Sequence, residues 1–548
     1  MHIIVPMSGW GKRFLSKGYK DPKPLVHADG KPIIEHVVNL FPGEQRFTFI
    51  CNRAHLEQTP MAEVLKSLVT GCRIVGIEPH SKGPVFAVSQ IFDLIDDDDE
   101  AIVNYCDFGT YWDYADFLDH TRNRGADGAV VAYKGFHPHM LGTTNYAFMR
   151  DENQWMLEIR EKQPFTSNRM NEYASNGTYY FKRGIYIKEY FAKVMDQDIN
   201  VNGEFYVSMV FNLLIEGSRR ISIYEIQHML QWGTPEDLEE YDRWSSYFKS
   251  VLQPLPYMEP QPGSINLIPM AGRGVRFTRE GFETPKPFLP VSGKPMFAQA
   301  LASFPAAEKT ILVCLKEHLE TELLAAETVK NSLRPKVVCV DKLTDGQAIT
   351  CSLGLENEDP EAPLFIGACD QGLLWNGTAY EAILNDGSTD GVIFTFRNHP
   401  AAARHPHMYG WVETRGGDRA QRVSVKVPVS DNPFEDHAVV GAFYFRKVRY
   451  FHEGLRRLIS GDIRVRGEFY VDSLMQQLIE MGYLIRILQV DFCAFWGTPD
   501  EYRTFHYWQS FFHKCAWHPY RVEADPSVAP RTAGALDKTY RSFGQRNR

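Results

Sequence analysis

The chain has 548 residues, of which 44% are hydrophobic and 23% charged, and its formal net charge is -9. This is the composition of an ordinary globular chain, long enough for roughly two to four domains. The negative balance offers nothing to a nucleic-acid or membrane-surface partner, and no apolar run is long enough to span a bilayer. His2 leads at once into a short apolar strand and then Gly, Lys and Arg, which is not the pattern of a secretory leader. The nine cysteines show no CxxC and no metal-ligand spacing. Several lie in apolar strands (Cys51, Cys314, Cys339) and are expected as buried, reduced thiols of a cytoplasmic protein.

In chain order, an apolar strand over 2–6 precedes a Gly-rich loop. A helix over 32–41 follows, with Pro at its tolerated first turn. A β run over 46–51, a helical stretch over 54–68 and a strand over 72–78 come next. The same order returns in the second half, with strand 265–269, helix 295–304, β run 309–314, helical stretch 317–332 and strand 336–342. Strands alternating with helices predict an open α/β sheet with mostly parallel strands.

The two halves also match residue by residue. SGWGKRFLSKGYKDPKPLVHADGKP (8–32) and AGRGVRFTREGFETPKPFLPVSGKP (271–295) share eleven positions at one constant offset, mostly Gly, Pro, Lys and Arg. Hydrophobic patterning does not produce such a match, so the chain is a tandem duplication. The same offset holds for Gly83 and Gly346 and for Asp107 and Asp370; it shifts by a few residues, after a short Ala-rich insertion in the second half, for His137-Pro138-His139-Met140 and His405-Pro406-His407-Met408 and for Lys162 and Lys426. The match continues through NGEFYVS (202–208) and RGEFYVD (466–472), and through Trp232-Gly233-Thr234-Pro235 and Trp496-Gly497-Thr498-Pro499. The expected domains are 1–250 and 265–515, joined by a stiff Pro-rich linker over 251–264. Residues 516–548 have no counterpart in the first half and are expected as an extended tail.

A GxG loop after a first strand presents backbone N–H groups to an oxyanion. Gly9 and Gly11, with Gly272 and Gly274, form such loops, though neither is a dinucleotide fingerprint or a P-loop. Two cations accompany each loop: Arg13 and Lys23, Arg276 and Lys286. Each lysine stands between two prolines that stiffen its backbone. Fixed cations around a Gly loop suit a triphosphate. Asp107 and Asp370 end β runs before a Gly-containing loop, where ligand residues collect in an open α/β sheet. Each is a strand-end cap or a Mg²⁺ ligand, and Mg²⁺ needs few protein carboxylates when phosphates fill its shell. Glu204 and Glu468 either cap a helix or support the metal or the acceptor. The four aspartates 96–99 lie before the strand and fit a solvated loop. The paired His-Pro-His-Met segments either line an acceptor pocket or form turns with packed histidines.

Taken together, GxGxRF, PKP, GKP, a strand-end Asp, an EK and a late WGTPEDL resemble the sugar-phosphate nucleotidyltransferases. The FHPHM, GTYYF, NGEFYVS and WGTP segments resemble more narrowly the branch associated with capsule and lipopolysaccharide synthesis, some of it cytidylyltransferases. The resemblance covers roughly 1–245 and 265–510. It implies two tandem GT-A-like, Rossmann-like domains with open mixed sheets, and a Mg²⁺-dependent reaction. In that reaction an NTP and a small phosphorylated acceptor give an NDP-linked product and pyrophosphate, with no nucleic acid or membrane partner. A homo-oligomer stays open. By position, Gly9, Gly11 and Arg13 would hold the triphosphate, Lys23 the reacting phosphates, Gly83 the base or ribose, Asp107 the metal and Lys162 the acceptor phosphate. Gly272, Gly274, Arg276, Lys286, Gly346, Asp370 and Lys426 would take the same roles in the second half.

There are departures. The first half has Gly83-Pro84-Val85 where the family carries Gly-Gln-Ala, and the second has Val425-Lys426 in place of Glu161-Lys162. Many members carry a further metal-binding Asp a few residues after the GE motif. Ser208 or Met209 stands there in the first half, Asp472 or Ser473 in the second. One catalytic half beside a nucleotide-sensing half, and a GT-A-like glycosyltransferase, are the alternative readings.

Overall fold

The structure, a computed structural model, describes residues 1–253, 258–319 and 335–542. Among them, no helix is long and apolar enough to cross a membrane. The chain forms two compact units: unit 1 is Met1–Phe248 with Tyr507–His518, and unit 2 is Lys249–His506 with the stretch from Pro519.

Unit 1 contains strands β1 (His2–Met7), β2 (Phe47–Asn52), β3 (Arg73–Ile77), β4 (Ala101–Asn104), β5 (Phe108–Tyr111) and β6 (Gly128–Tyr133). It continues with β7 (Ala147–Glu152), β8 (Trp155–Glu161), β9 (Tyr173–Phe181), β10 (Ile221–Glu225) and β11 (His228–Gln231). Nine of them form one sheet in the order β3-β2-β1-β4-β9-β6-β10-β8-β7. β1 runs parallel to β2 and β4, and β2 parallel to β3. β9 is antiparallel to both β4 and β6, so the sheet is mixed. β1 is buried along its whole length, which is why it reads as an unbroken apolar run rather than an alternating one. The strand order reverses between β1 and β4, so the loops leaving those two strands open a crevice at their carboxyl ends.

Unit 2 repeats this plan with β12 (Gln261–Met270), β13 (Ala307–Leu315), β14 (Lys336–Val340), β15 (Leu364–Gly367), β16 (Gln371–Leu374) and β17 (Gly391–Phe396). Then come β18 (Gly410–Thr414), β19 (Ala420–Val425), β20 (His437–Phe445), β21 (Ile485–Gln489) and β22 (Phe492–Phe495). The order is β14-β13-β12-β15-β20-β17-β21, with the β18–β19 hairpin docked on β20. Two mixed α/β domains of one topology are therefore present.

Several expectations change. The helical stretch 54–68 is two helices, Arg53–Gln58 and Met61–Leu68, interrupted at Pro60. The helix foreseen over 317–332 is described only at Lys316–Leu319, and the rest lies outside the described residues. The linker gives way to strand structure at Gln261. Cys51 and Cys314 are buried, but Cys339 is exposed on β14, which ends the sheet. The stretch after 516 is not an extended tail. It carries a helix, Pro530–Arg541, in which Ala533 and Tyr540 are buried, and Tyr520 and Val522 are buried before it. Single side chains along it are buried at intervals, a property the lack of a first-half counterpart did not reveal.

Candidate active site

The site of unit 1 starts at the end of β1. Ser8 to Gly11 form the loop, and Gly11 closes it in the left-handed conformation, φ +64°, as the residue before the short helix Lys12–Ser16. A Cβ on Gly11 would lie 3.6 Å from the Lys23 Cβ, so the loop and the PKP segment are already in contact. The crowding is tighter in unit 2, where a Cβ on Gly274 would lie 2.7 Å from the Lys286 Cβ. Gly9 and Gly272 face open space, so neither crowding nor a left-handed φ requires glycine there. Arg13 and Arg276 lie on the helices that follow, with exposed side chains.

Lys23 Nζ donates to Asp107 Oδ2 at 2.7 Å, and Lys286 Nζ pairs with Asp370 Oδ2 in the same way. Burial works against both lysine charges, but the adjoining aspartate outweighs it and holds each lysine above its ordinary pKa. The cation and the carboxylate that the sequence separates by many residues are thus one ion pair in each unit. In unit 1 they face a cleft of about 230 Å³, also lined by Gly9, Gly11, Gly83 and Glu204.

Asp107 and Asp370 are fixed from behind by the late Trp-Gly-Thr-Pro segments. The Trp232 N–H donates to the Asp107 carbonyl at 3.1 Å, and Trp496 does the same to Asp370 at 2.8 Å. Both indoles are fully buried. A Cβ on Gly233 would stand 3.1 Å from Asp107 Oδ2, and one on Gly497 3.0 Å from Asp370 Oδ2, so a side chain there would press the carboxylate a few tenths of an ångström from its position. Sequence reasoning registered the recurrence of this segment but not its task. The pairing of β11 with β5, which brings Gln231 opposite Phe108, creates the contact. The next helix begins on Thr234, whose hydroxyl accepts from the Asp237 N–H at 3.2 Å, and burial pushes the Asp237 carboxyl up to about 6.

Gly83 and Gly346 have a structural role besides the nucleotide role the resemblance implies. Both have positive φ, +83° and +120°. A Cβ on Gly83 would sit 2.7 Å from the Phe205 carbonyl oxygen, and one on Gly346 2.5 Å from the Phe469 nitrogen. These glycines let the GEFY segment approach the cleft. Glu204 and Glu468 are not helix caps, since Tyr206 and Tyr470 occupy the residue before each helix. Each glutamate instead accepts a hydrogen bond from the hydroxyl of that tyrosine.

Lys162 and Lys426 both sit in the left-handed region, φ +58° and +64°. For lysine this costs about 1–3 kcal/mol, which the surrounding structure must offset. One hydrogen bond holds both turns: Lys162 N–H to the Tyr146 carbonyl at 2.9 Å, and Lys426 N–H to that of Tyr409 at 3.0 Å. The Lys162 ammonium donates to the Tyr206 hydroxyl at 2.6 Å, while that of Lys426 turns to the Met408 carbonyl. Burial lowers the pKa of Lys426. The His-Pro-His-Met segments also diverge. His137 and Met140 are buried in unit 1, with burial pushing the His137 imidazole down to about 4, and His137 and His139 pack on Tyr133. In unit 2, His405 and His407 are exposed. Three of the aspartates 96–99 form surface ion pairs, Asp97 with Lys188, Asp98 with Arg183 and Asp99 with Arg46.

Residues 3–223 match the Nucleotidyl transferase family, and residues 267–428 match the MobA-like NTP transferase domain. The chain therefore carries two NTP-transferase domains, one in each half. No curated protein matches it in sequence. Among solved structures it is similar to a nucleoside-diphosphate-sugar pyrophosphorylase from Vibrio cholerae RC9, at 21% identity and a TM-score of 0.38, over 44% of this chain and 99% of that one. It is also similar to a putative glucose-1-phosphate thymidylyltransferase from Bacillus anthracis (17%, TM-score 0.36, 44% and 94%). A third is the inositol-1-phosphate CTP transferase from T. maritima (12%, TM-score 0.36, 46% and 97%).

Proposed function

We propose that the chain is a Mg²⁺-dependent nucleotidyltransferase that joins an NTP to a small phosphorylated acceptor and releases pyrophosphate. The observation that carries this reading is the twice-built constellation of a Gly loop, a PKP lysine and a strand-end aspartate at the strand-order reversal, in two domains of NTP-transferase type. The product would serve surface polysaccharide synthesis in the cytoplasm, with a cytidylyl group as the first candidate to test.

In the chemistry this implies, an oxygen of the acceptor phosphate attacks the α-phosphorus in line. A new P–O bond forms, and the bond from the α-phosphorus to the bridging oxygen breaks and releases pyrophosphate. The attacking oxygen is already anionic, so no general base is needed. The difficulty is the approach of like charges, and the chain answers it with fixed cations. The loop amides around Gly9 and Gly11 cradle phosphate oxygens. Arg13 is free to close over them from the exposed helix. Lys23, held by Asp107, turns its charge toward the arriving phosphates, and Lys162 orients the acceptor phosphate. Mg²⁺ fits the residues present: one backbone-anchored carboxylate faces the cleft, and this ion takes one or two carboxylates alongside phosphates and water. Asp107 and Asp370 would hold it, and when bound it supplies further charge neutralisation at the phosphates.

The test is pyrophosphate release from CTP, UTP, dTTP, GTP and ATP with Mg²⁺ and a panel of sugar 1-phosphates and other small phosphates. Release with one nucleotide and one acceptor class supports the reading. Absence of release with every pair, together with no nucleotide-induced rise in melting temperature, overturns it. A ligand at about 100 times its Kd stabilises by roughly 2.7 kcal/mol, so binding would be visible.

A further inference from the structure

In unit 1 a carboxylate beside the acceptor lysine comes from the strand: Glu161, the residue before Lys162, accepts a hydrogen bond from Ser208 Oγ at 2.6 Å. By sequence unit 2 has lost it, since Val425 precedes Lys426. The structure shows otherwise. The helices after the GEFY segments hold the same register in both units. Asn212 Oδ1 accepts from the Ile159 N–H at 2.9 Å, and Gln476 Oε1 from the Val423 N–H at 2.7 Å. Ser208 and Asp472 therefore occupy equivalent positions, each four residues before that amide. In unit 2 an acid therefore stands on the helix, where unit 1 has one on the strand.

A third position makes room for it. Glu161 pairs with Ala147 across the β7–β8 hairpin, and Val425 pairs with Gly410 across β18–β19. A Cβ on Gly410 would fall 2.3 Å from Asp472 Oδ2, so the alanine of unit 1 could stand there only if the Asp472 carboxylate moved. Glu161, Ser208 and Ala147 of unit 1 correspond to Val425, Asp472 and Gly410 of unit 2, three differences on three elements around one spot. Asp472 is buried, and its charge and that of Lys426 act on one another. Burying an acid at such a place costs stability, so the presence of one in each unit, from different elements, calls for a role.

We propose that Asp472 is an acceptor-binding residue of unit 2, supplying from the helix the hydrogen-bond-accepting carboxylate that Glu161 supplies from the strand in unit 1. Its ligand is a hydroxyl of a phosphorylated polyol or sugar whose phosphate lies on Lys426. Because the acid enters from another side, the two units favour acceptors with differently placed hydroxyls. This rests on the reading of Lys162 and Lys426 as acceptor lysines.

The test uses the full chain carrying Lys162→Ala, so that calorimetric binding reports unit 2, with three probes: inorganic phosphate, glucose 1-phosphate and glycerol 3-phosphate. A charge-assisted hydrogen bond is worth about 1.5–3 kcal/mol, or roughly 10- to 150-fold. Asp472→Asn is therefore expected to weaken a hydroxylated phosphate at least tenfold. It should leave inorganic phosphate unchanged or bind it more tightly, because a repelling charge is gone. Gly410→Ala/Val425→Glu/Asp472→Ser, which rebuilds the arrangement of unit 1, is expected to recover hydroxylated-phosphate binding with the preference order of unit 1. Equal weakening of all three probes by Asp472→Asn would mean a structural role and overturn the proposal. So would an unchanged preference, or a parent that binds hydroxylated phosphates no better than inorganic phosphate. Loss of pyrophosphate release with these binding preferences intact would instead remove the transferase reading alone.

Discussion

In unit 1 the His-Pro-His-Met segment is packed among tyrosines, and Lys162 reaches the tyrosine that follows the GEF glutamate. In unit 2 the same segment is exposed, and Lys426 turns back to it through the Met408 carbonyl. At the other end of each cleft the units agree closely: the lysine–aspartate pair, the buried tryptophan behind the aspartate and the left-handed glycine recur in both. On the proposed function, the two units agree where a triphosphate would lie and differ where an acceptor would. A triphosphate would be the same chemical object in both units and would leave its cations little freedom to drift, whereas each acceptor would set its own hydrogen-bond pattern.

The comparison breaks most readily at the lysines. Lys23→Ala and Lys286→Ala should each lower turnover of the affected unit by about 10²–10³, the loss seen when one electrostatic donor to a developing charge is removed. Pyrophosphate release under saturating substrates distinguishes the cases. Two partial losses mean two working units, and one near-total loss beside a silent variant means that one unit only senses nucleotide. Gly83→Ala and Gly346→Ala come next. A positive φ with a side chain costs about 1–3 kcal/mol, and the Phe205 or Phe469 backbone lies within 2.7 Å of the added carbon. Denaturant melts should show both variants destabilised, Gly346→Ala the more because its contact is shorter.

A finer contrast lies at the loop glycines. Gly274→Ala drives a carbon to 2.7 Å from the Lys286 Cβ, while Gly11→Ala leaves 3.6 Å to that of Lys23. Both pay about 1 kcal/mol for the left-handed backbone, but only Gly274→Ala should also raise the nucleotide KM of its unit. A last contrast concerns Glu161, whose carboxyl burial pushes from 4.5 up to about 7. A carboxyl raised on folding contributes stability that is fully present below its unfolded value, and that stability is lost as the pH rises through the folded value. Wild type should therefore lose stability between about pH 4.5 and 7 through this group. Glu161→Gln should melt higher than wild type at pH 8 but not at pH 4. Equal melting shifts at both pH values would show that the buried charge is not the cause.

Much of this architecture was legible in the sequence. Gly11, Lys23, Pro22 and Pro24 carry their constraints in their own residue types, so a repeat of those types reveals a repeat of the loop. The strand-end position of Asp107 was legible for the same reason. Its bond to Lys23 was not, because that contact depends on β1 and β4 being neighbours. The correspondence of Glu161 with Asp472 was hidden for a related reason. Position by position it looks like one loss and one unrelated gain, and only the hairpin pairing of Gly410 with Val425 joins them. The ordered C-terminal stretch was invisible because its burial is against partners far away in the chain.

The membership of Tyr507–His518 in unit 1 has a consequence for inheritance. Within that unit the Tyr507 hydroxyl donates to the Met229 carbonyl at 2.7 Å, and Phe511 and Phe512 are fully buried. A gene cut at the boundary between the halves would deliver a first product missing part of its own core. Recombination at that boundary would not part the two units cleanly, and variation in either half is selected in the company of the other.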